Sequence, residues 1–263
     1  MTLSSEVLRV ERHGGAALLT IERPHAGNSI SADVTTALDG ALDALDGESD
    51  LVAIVITGAG DKFFSSGGDI KQYRELVTRE QLQRAFERPR RLLDRLEALP
   101  VPVIAAVNGI AMGGGAELML ACDLRLAAPT ATIGFPYVRL GLIPGWHGSE
   151  RLTRNCGYTN AMHLLASGDT VDAEEALRLG LINRICDDLP VVDAALALVE
   201  KLARAAPLSL AATKRVLLGA YGLPREEARR LAESEFTDLW MSDDHREAEA
   251  AFSAKRPPGF KGK

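Results

Sequence analysis

Three consecutive glycines at positions 113–115 constrain this chain more than any other stretch. They follow an apolar segment, residues 103–107, and an Asn108-Gly109 pair, and they precede a helical pattern whose first turn contains Glu117. Glycine loses the most backbone entropy on folding, so three in succession suit a place where another group approaches the backbone closely. The stretch predicts a strand, a turn and a helix N-terminus, where unpaired amides stabilise developing negative charge.

A second glycine-rich loop lies upstream and follows a β-branched apolar segment at residues 51–57. Such a segment is typical of a strand that is covered on both faces. The loop after it offers a further free amide near Gly67 and Gly68. Since two amides from separate loops can bind one oxygen atom, we predict that the two loops converge.

Apolar periodicity predicts alternating strands and helices along the chain. The predicted strands are residues 16–21, 51–57, 103–107, 123–127 and 181–186. The predicted helices are one capped by Ser31 and ended by Gly47, one over residues 81–99 that is interrupted near Pro89, residues 159–166, residues 172–179, and a succession of helices from Leu189 onward. Strand, strand and helix recur three times before the helical tail, which fits an α/β fold built as a spiral of similar units or as a doubly wound sheet.

Composition and charge argue against several classes of function. The 263 residues suit one substantial core with a small appended subdomain, or at most two domains. A net charge of −6 without a run of basic residues disfavours nucleic-acid binding. No apolar run approaches the ~20 residues that cross a bilayer, and the start of the chain has no apolar signal core. We therefore expect a soluble, cytoplasmic protein without a membrane partner.

Metal and cofactor motifs are also missing from the sequence. The three cysteines are far apart and lack a CxxC spacing, which predicts neither a disulfide framework nor a zinc site. The sequence patterns of dinucleotide, nucleotide, zinc-protease and serine-hydrolase sites do not occur. We predict no metal and no separate cofactor.

Six stretches, taken in order, resemble the crotonase family, the superfamily of enoyl-CoA hydratases and isomerases. They are IERPHAGNSI, ITGAGDKFFSSGGDI, PVIAAVNGIAMGGGAELMLACDLRLAA, LGLIPGWHGSERL, ALRLGLINRI and AFSAKRPPGF. The resemblance implies a crotonase-like spiral of repeated ββα units with the active site over residues 1–200, and a helical C-terminal region used in trimerisation over residues 201–263. It also implies a homotrimer or a hexamer of two trimers, and an acyl-CoA thioester whose carbonyl oxygen becomes an enolate oxyanion.

The same resemblance assigns catalytic roles to individual residues. The backbone amides of Gly68 and Gly114 correspond to the two oxyanion donors, and Glu117 corresponds to one of the two glutamates that handle water and the proton in the hydratases. The second glutamate of the hydratases follows the proline of the Pro136 loop, and here that position is Tyr137. A tyrosine, with an unperturbed pKa of ~10, does not act as a carboxylate base at neutral pH. Tyr137 is still a candidate catalytic residue, because it could donate a hydrogen bond to the substrate; the alternative is that it only lines the pocket.

Other residues are predicted to bind the substrate or to border it. Positively charged side chains suit the phosphates of CoA, which is part of the substrate rather than a cofactor. Asp69 is expected to close a turn by bonding nearby amides. His147, if it faces the pocket, would titrate close to neutral pH; the alternative is a surface or capping histidine. The predicted substrate-binding residues are Arg23, Lys62, Ser66, Asp69, Ile70, Lys71 and Lys255.

The predicted activity is hydration of a 2-enoyl-CoA or isomerisation of its double bond, with Glu117 as the acid–base group. Tyr137 leaves two alternatives open. One is another reaction of a CoA ester, such as decarboxylation or hydrolysis. The other is an acyl-CoA-binding protein that has lost catalysis.

Overall fold

The computed structural model describes residues 5–263, which form two sheets and a set of helices around them. The strands are β1 Leu8–His13, β2 Ala16–Ile21, β3 Ala53–Gly58, β4 Phe63–Ser65, β5 Val103–Val107, β6 Ile110–Met112, β7 Leu124–Ala127, β8 Thr132–Gly134, β9 Thr170–Asp172 and β10 Arg184–Ile185. The helices are α1 Ala32–Leu45, α2 Ile70–Tyr73, α3 Arg79–Ala98, α4 Gly114–Leu120, α5 Gly148–Ser167, α6 Ala173–Leu179, α7 Val191–Leu202, α8 Pro207–Gly222, α9 Arg225–Trp240 and α10 Asp243–Ser253. Short 3₁₀ turns cover Pro24–Ala26 and Pro136–Leu140.

The strands alternate between the two sheets. The larger sheet has the order β1-β2-β3-β5-β7-β10, and the smaller has the order β4-β6-β8-β9. Along the chain, β3 is followed by β4, β5 by β6, and β7 by β8, so the first strand of each pair joins the larger sheet and the second joins the smaller. A helix follows each pair, namely α2 and α3, then α4, then α5. The predicted α/β class, with strand, strand and helix recurring three times before a helical C-terminal region, is confirmed.

The larger sheet is buried on both faces because successive side chains of a strand point in opposite directions. In β3, Ile54 and Ile56 pack into the main core with α1, α3 and α4, whereas Ala53 and Val55 pack into a second core. Helix α7 covers that second face with Val191, Ala194, Ala195 and Val199. This two-sided burial explains the nearly continuous apolar sequence of the central strands.

Helix α3 differs from the prediction of an interruption at Pro89. It runs without a break from Arg79 to Ala98, and it begins two residues before the predicted start because Thr78 and Gln81 form a capping box. Proline lacks an amide donor, so one intrahelical hydrogen bond is lost at this position. The helix continues because Pro89 is buried on the same side as Leu92 and Leu96, which pack into the main core.

Other differences concern short elements and helix bounds. The first strand, β1, lies before the first predicted strand, residues 16–21, and it pairs antiparallel with β2. Strands β4, β6, β8 and β9 have three residues each, too few to show a period. Helix α5 begins eleven positions before the predicted residue 159 and bends at Gly157, whose φ is 76°.

The C-terminal helices α8, α9 and α10 follow the predicted helical tail. Pro207 begins α8, Pro224 caps α9, and Asp243 begins α10. Within residues 5–263, no helix has the combination of length and apolar sequence that a bilayer crossing requires.

Candidate active site

The glycine cluster places an unpaired amide at the start of α4. Gly113 precedes the helix with φ 53° and ψ −121°, a conformation that favours glycine, and its amide donates to the Gly134 carbonyl at 2.9 Å. Gly114 is the first residue of the helix, and its amide donates to no other residue in the part of the chain that the structure describes. The four N-terminal amides of a helix have no intrahelical acceptor, which explains this free donor.

The upstream loop brings a second free amide to the same place. Around Gly68 the neighbouring groups are bonded, since the Ile30 amide donates to the Gly67 carbonyl at 2.8 Å and the Asp69 amide donates to the Ile30 carbonyl at 3.2 Å. The Gly68 amide donates to no residue among positions 5–263. A Cβ atom built on Gly114 would lie 3.0 Å from the Gly68 nitrogen. The two loops that the sequence predicts to converge therefore meet.

Glu117 is buried one turn into α4, and donors of this chain occupy both of its carboxylate oxygens. Oε2 accepts from the amides of Trp146 at 2.8 Å and Gly148 at 2.7 Å. Oε1 accepts from the amide of Gly145 at 3.2 Å and, in a short hydrogen bond, from the hydroxyl of Tyr137. The residue is 1% exposed. The segment after β8 is thus attached to α4 through one side chain.

Burial changes the ionisation of both partners in the short hydrogen bond. It raises the pKa of Glu117, although the hydrogen bonds from Tyr137 and the three backbone amides act in the opposite direction. Burial, together with the nearby Glu117 charge, raises the pKa of Tyr137, so this hydroxyl keeps its proton at neutral pH. The pair therefore holds one exchangeable proton between two oxygens next to the free amides.

Trp146 forms the wall beside the two free amides, a role that the sequence did not reveal. It is 3% exposed, and its ring atom Cη2 lies 2.5 Å from the position of a Cβ built on Gly114. Its atom Cζ2 lies 3.3 Å from the corresponding position on Gly68. The indole Nε1 is buried and has no hydrogen-bond partner among residues 5–263. The ring thus packs where only glycine leaves room for it.

Two further aromatic residues extend this wall. The rings of Tyr73 and Phe86 lie 4.8 Å apart between centroids, and Phe86 packs against Gly145. Atom Cε2 of Tyr73 lies 2.8 Å from the position of a Cβ built on Gly68. Burial, with smaller effects from the Asp69 and Glu117 charges, raises the pKa of Tyr73 to about 12.

Arg151, which the sequence did not single out, holds the Trp146 loop from its other side. Its guanidinium donates to the Trp146 carbonyl at 2.6 Å, to Asp94 at 2.6 Å and to Glu97 at 2.6 Å and 2.9 Å. The side chain is 1% exposed, and the buried charge is matched by the two carboxylates. A buried arginine on an otherwise ordinary helical pattern has no distinguishing sequence signal.

His147 lies at the surface rather than in the pocket. It precedes α5 with φ 66°, its side chain is more than half exposed, and its Nδ1 lies 3.5 Å from Asp94. The capping or surface alternative for this residue is the one that the structure supports.

The prediction that Asp69 closes a turn by bonding amides is wrong. Its carboxylate instead pairs with the guanidinium of Arg23 at 3.1 Å, and it caps α2 without a side-chain hydrogen bond. Arg23 also donates to the carbonyl and hydroxyl oxygens of Ser29. A partly buried guanidinium within reach forms a charge-assisted bond that is stronger than a bond to a neutral amide.

The remaining predicted substrate-binding residues are spread over three places in the structure. Lys62 and Ser66 line a surface groove with residues 24–27 and 59–61, and Lys62 Nζ lies 5.4 Å from the centroid of the Phe63 ring. Ile70 and Lys71 are exposed at the start of α2. Lys255 follows α10, far along the chain, and is not among the residues that line this groove.

The described residues also offer little for a metal or a disulfide. No group of three or more His, Cys, Asp or Glu side chains among residues 5–263 is placed to hold a metal ion. The three cysteines are free thiols. The chemistry available at the site is therefore that of two free amides, one buried carboxylate and one tyrosine hydroxyl, a set suited to holding an oxyanion and moving a proton.

Comparison with known proteins gives concordant matches over nearly the whole chain. The model of the enoyl-CoA hydratase/isomerase family matches residues 11–263. A probable enoyl-CoA hydratase of Bacillus subtilis is 38% identical over 247 residues, which cover 94% of this chain and 95% of that protein. The short-chain-enoyl-CoA hydratase of Clostridium acetobutylicum is 33% identical over 264 positions and covers 100% of both chains. The crystal structure of enoyl-CoA hydratase from Bacillus anthracis superposes with a TM-score of 0.93 at 31% identity, covering 98% of this chain and 100% of that one.

Proposed function

Since the chain belongs to the enoyl-CoA hydratase/isomerase family of the crotonase superfamily, we propose that it binds an acyl-CoA thioester and converts it through an enolate. The thioester oxygen accepts hydrogen bonds from the amides of Gly68 and Gly114, and the Glu117–Tyr137 pair transfers the proton. The reaction that this arrangement supports best is isomerisation or hydration of a 2-enoyl-CoA.

One observation carries the proposal. Two amides from separate loops lie side by side, and neither donates to another residue among positions 5–263. Gly114 is buried, and a buried donor without a partner costs free energy, so such a donor persists where a ligand supplies the acceptor. The Gly114 amide also belongs to a helix N-terminus, where the macrodipole favours negative charge. Each oxyanion donor typically contributes ~2.7–4 kcal/mol to transition-state stabilisation.

A second reaction is favoured by the state of the carboxylate. Glu117 supplies the carboxylate of this site, and four hydrogen bonds from this chain occupy its acceptor positions. Loss of carbon dioxide from a malonyl-type CoA ester forms the same enolate without any base and needs only a proton donor afterwards. Tyr137, which retains its proton, meets that need.

The binding of CoA and the assembly of subunits complete the proposal. The groove beside Lys62 offers a positive charge and an exposed surface for the nucleotide part of CoA, and Arg23 directly precedes the groove residues 24–27. Lys71, exposed at the start of α2, is a further candidate for the phosphates. Lys255 would serve a neighbouring subunit of a trimer or of a hexamer. The C-terminal helices support such an assembly, because Leu217, Tyr221, Phe236 and Trp240 are each more than half exposed.

Turnover assays decide between these reactions. Crotonyl-CoA hydration is followed by loss of enoyl absorbance, isomerisation by conversion of 3-enoyl-CoA to 2-enoyl-CoA, and decarboxylation by release of carbon dioxide from malonyl-CoA and methylmalonyl-CoA. We expect turnover of at least one of these esters. Calorimetric binding of CoA esters without any turnover would instead indicate the non-catalytic alternative, and absence of binding would contradict the proposal.

A further inference from the structure

The two members of the Glu117–Tyr137 pair differ in what can reach them. Glu117 is 1% exposed, whereas Tyr137 is only partly buried on the short 3₁₀ turn that follows β8. The hydroxyl of Tyr137 lies 3.6 Å from the position of a Cβ built on Gly113, the residue that precedes the free amide of Gly114. The phenol is therefore the more accessible member of the pair, and it lies beside the residue that precedes the free amide.

The hydrogen bonds of Glu117 lead to the same conclusion. An ionised carboxylate has about four lone-pair positions for acceptance. Three backbone amides and the Tyr137 hydroxyl account for four hydrogen bonds, two on each oxygen. Three of these donors are amides, which do not exchange protons with a substrate during turnover. The Tyr137 hydroxyl is thus the one acidic group in contact with Glu117 among the described residues.

We propose that Tyr137 exchanges the proton with the substrate carbon and that Glu117 acts only through Tyr137, as its proton acceptor and positioning residue. This inference rests on the proposed function. In the isomerisation of a 3-enoyl-CoA, the C–H bond at the carbon next to the thioester carbonyl breaks and its proton joins the phenol oxygen. In the same step the phenol's own proton moves to Glu117 Oε1, and the electron pair passes into the enolate held by Gly68 and Gly114. The reverse sequence then returns a proton to the distal carbon of the extended enolate, which gives the 2-enoyl-CoA and leaves the pair as it began.

The ionisation of the two groups supports this order of events. A free tyrosinate next to Glu117 is unfavourable, because burial and the carboxylate charge both raise the pKa of Tyr137. Moving both protons together avoids that species. The raised pKa of Glu117 increases its affinity for the proton that it receives.

We call the transfer of the proton between the substrate carbon, Tyr137 and Glu117 the relay. Variants of both residues test it on whichever ester the wild-type protein turns over. If protons pass through both groups in series, Y137F and E117Q each lower kcat by ~100-fold or more. The double variant Y137F/E117Q is then no slower than the slower single variant, because the two residues act as one unit. The KM for the ester changes less than about threefold in each. The acidic limb of the wild-type kcat profile against pH disappears in both single variants.

A matched control and the contrary outcomes make the test decisive. Y158F makes the same chemical change at a tyrosine that is 74% exposed, and it keeps wild-type kcat. Two outcomes would overturn the relay and indicate that Glu117 acts directly on the substrate. In the first, Y137F retains more than a tenth of the wild-type kcat while E117Q does not. In the second, the kcat losses of the single variants multiply in the double variant. If E117Q fails to fold, Y137F alone decides: more than a tenth of the wild-type kcat overturns the relay, and a loss of ~100-fold or more supports it. Absence of wild-type turnover on every ester contradicts the proposed function itself, a result distinct from an active wild type with an active Y137F.

Discussion

The amide nitrogen of Gly68 lies 3.0 Å from the position that a Cβ atom on Gly114 would occupy, and Trp146 Cη2 lies 2.5 Å from that position. A methyl group there would displace the ring, the Gly68 loop or both. The space between these groups is therefore available to a ligand oxygen only while residue 114 is glycine.

We expect G114A to lower kcat by ~100-fold or more, because moving one oxyanion donor out of place costs ~2.7–4 kcal/mol of transition-state stabilisation. Steady-state kinetics on the wild-type substrate measure the loss. G40A is the matched control, since a Cβ on Gly40 of α1 meets no atom within 4 Å. That variant should retain full activity and gain ~0.4–1 kcal/mol in free energy of unfolding. Full activity in G114A would remove this amide from the site.

The raised pKa of Glu117 predicts a specific dependence of stability on pH. Because the folded-state pKa lies above the ordinary value of 4.5, the folded state favours the protonated form. The contribution of this proton to the free energy of unfolding is complete below the unfolded pKa and is lost as pH rises through the folded pKa. Urea unfolding of wild type and E117Q measures this contribution. As pH rises from the unfolded-state pKa to the folded-state pKa of Glu117, the free energy of unfolding of the wild type should fall relative to that of E117Q. A difference that shifts the other way would indicate a lowered pKa.

The sequence revealed the strands of the larger sheet and both glycine loops for clear physical reasons. A strand covered on both faces, such as β3, needs apolar residues at every position, and this pattern is visible without a structure. The three-residue strands β4, β6 and β8 show no such pattern, because they depend on pairing with one another. Their existence could be inferred only from the resemblance to a family with paired strands in each unit.

The hydrogen-bond donors to Glu117 show which part of the candidate site the sequence could not predict. Its position at the start of α4 followed from the glycine cluster, whereas its donors lie 20–31 positions later. Three of them are backbone amides of Gly145, Trp146 and Gly148, and any residue except proline offers such a donor. Sequence patterns therefore identified the carboxylate but not what surrounds it.

Arg151 should contribute to stability through its fork of hydrogen bonds. R151K keeps the charge but cannot reach the Trp146 carbonyl, Asp94 and Glu97 together, so we expect a loss of ~1–3 kcal/mol in the free energy of unfolding. Urea denaturation measures it. R178K provides the surface comparison, because its pair with Glu175 is exposed, and it should change the free energy of unfolding much less than R151K does. Equal effects of the two substitutions would show that the buried fork is not a special contributor.

Trp146 should limit the length of the acyl group, because its ring occupies the space next to both free amides. We expect W146F to raise the ratio of kcat/KM for an eight-carbon over a four-carbon enoyl-CoA by about tenfold, since each methylene accommodated is typically worth ~1–3 kcal/mol. The ratio is measured by competition between the two esters. W240F, at a residue 55% exposed on α9, should leave it unchanged. An unchanged ratio in W146F would place the acyl chain elsewhere.

The three main-chain hydrogen bonds on Glu117 have a consequence for assigning activity by homology. A descendant of this protein that abandoned catalysis would still be selected to keep a glutamate here, because its removal would leave the donors of Gly145, Trp146 and Gly148 without acceptors. Retention of this acidic residue in a related sequence therefore reports an intact scaffold, and the identity of residue 137 is the better guide to which reaction a lineage performs.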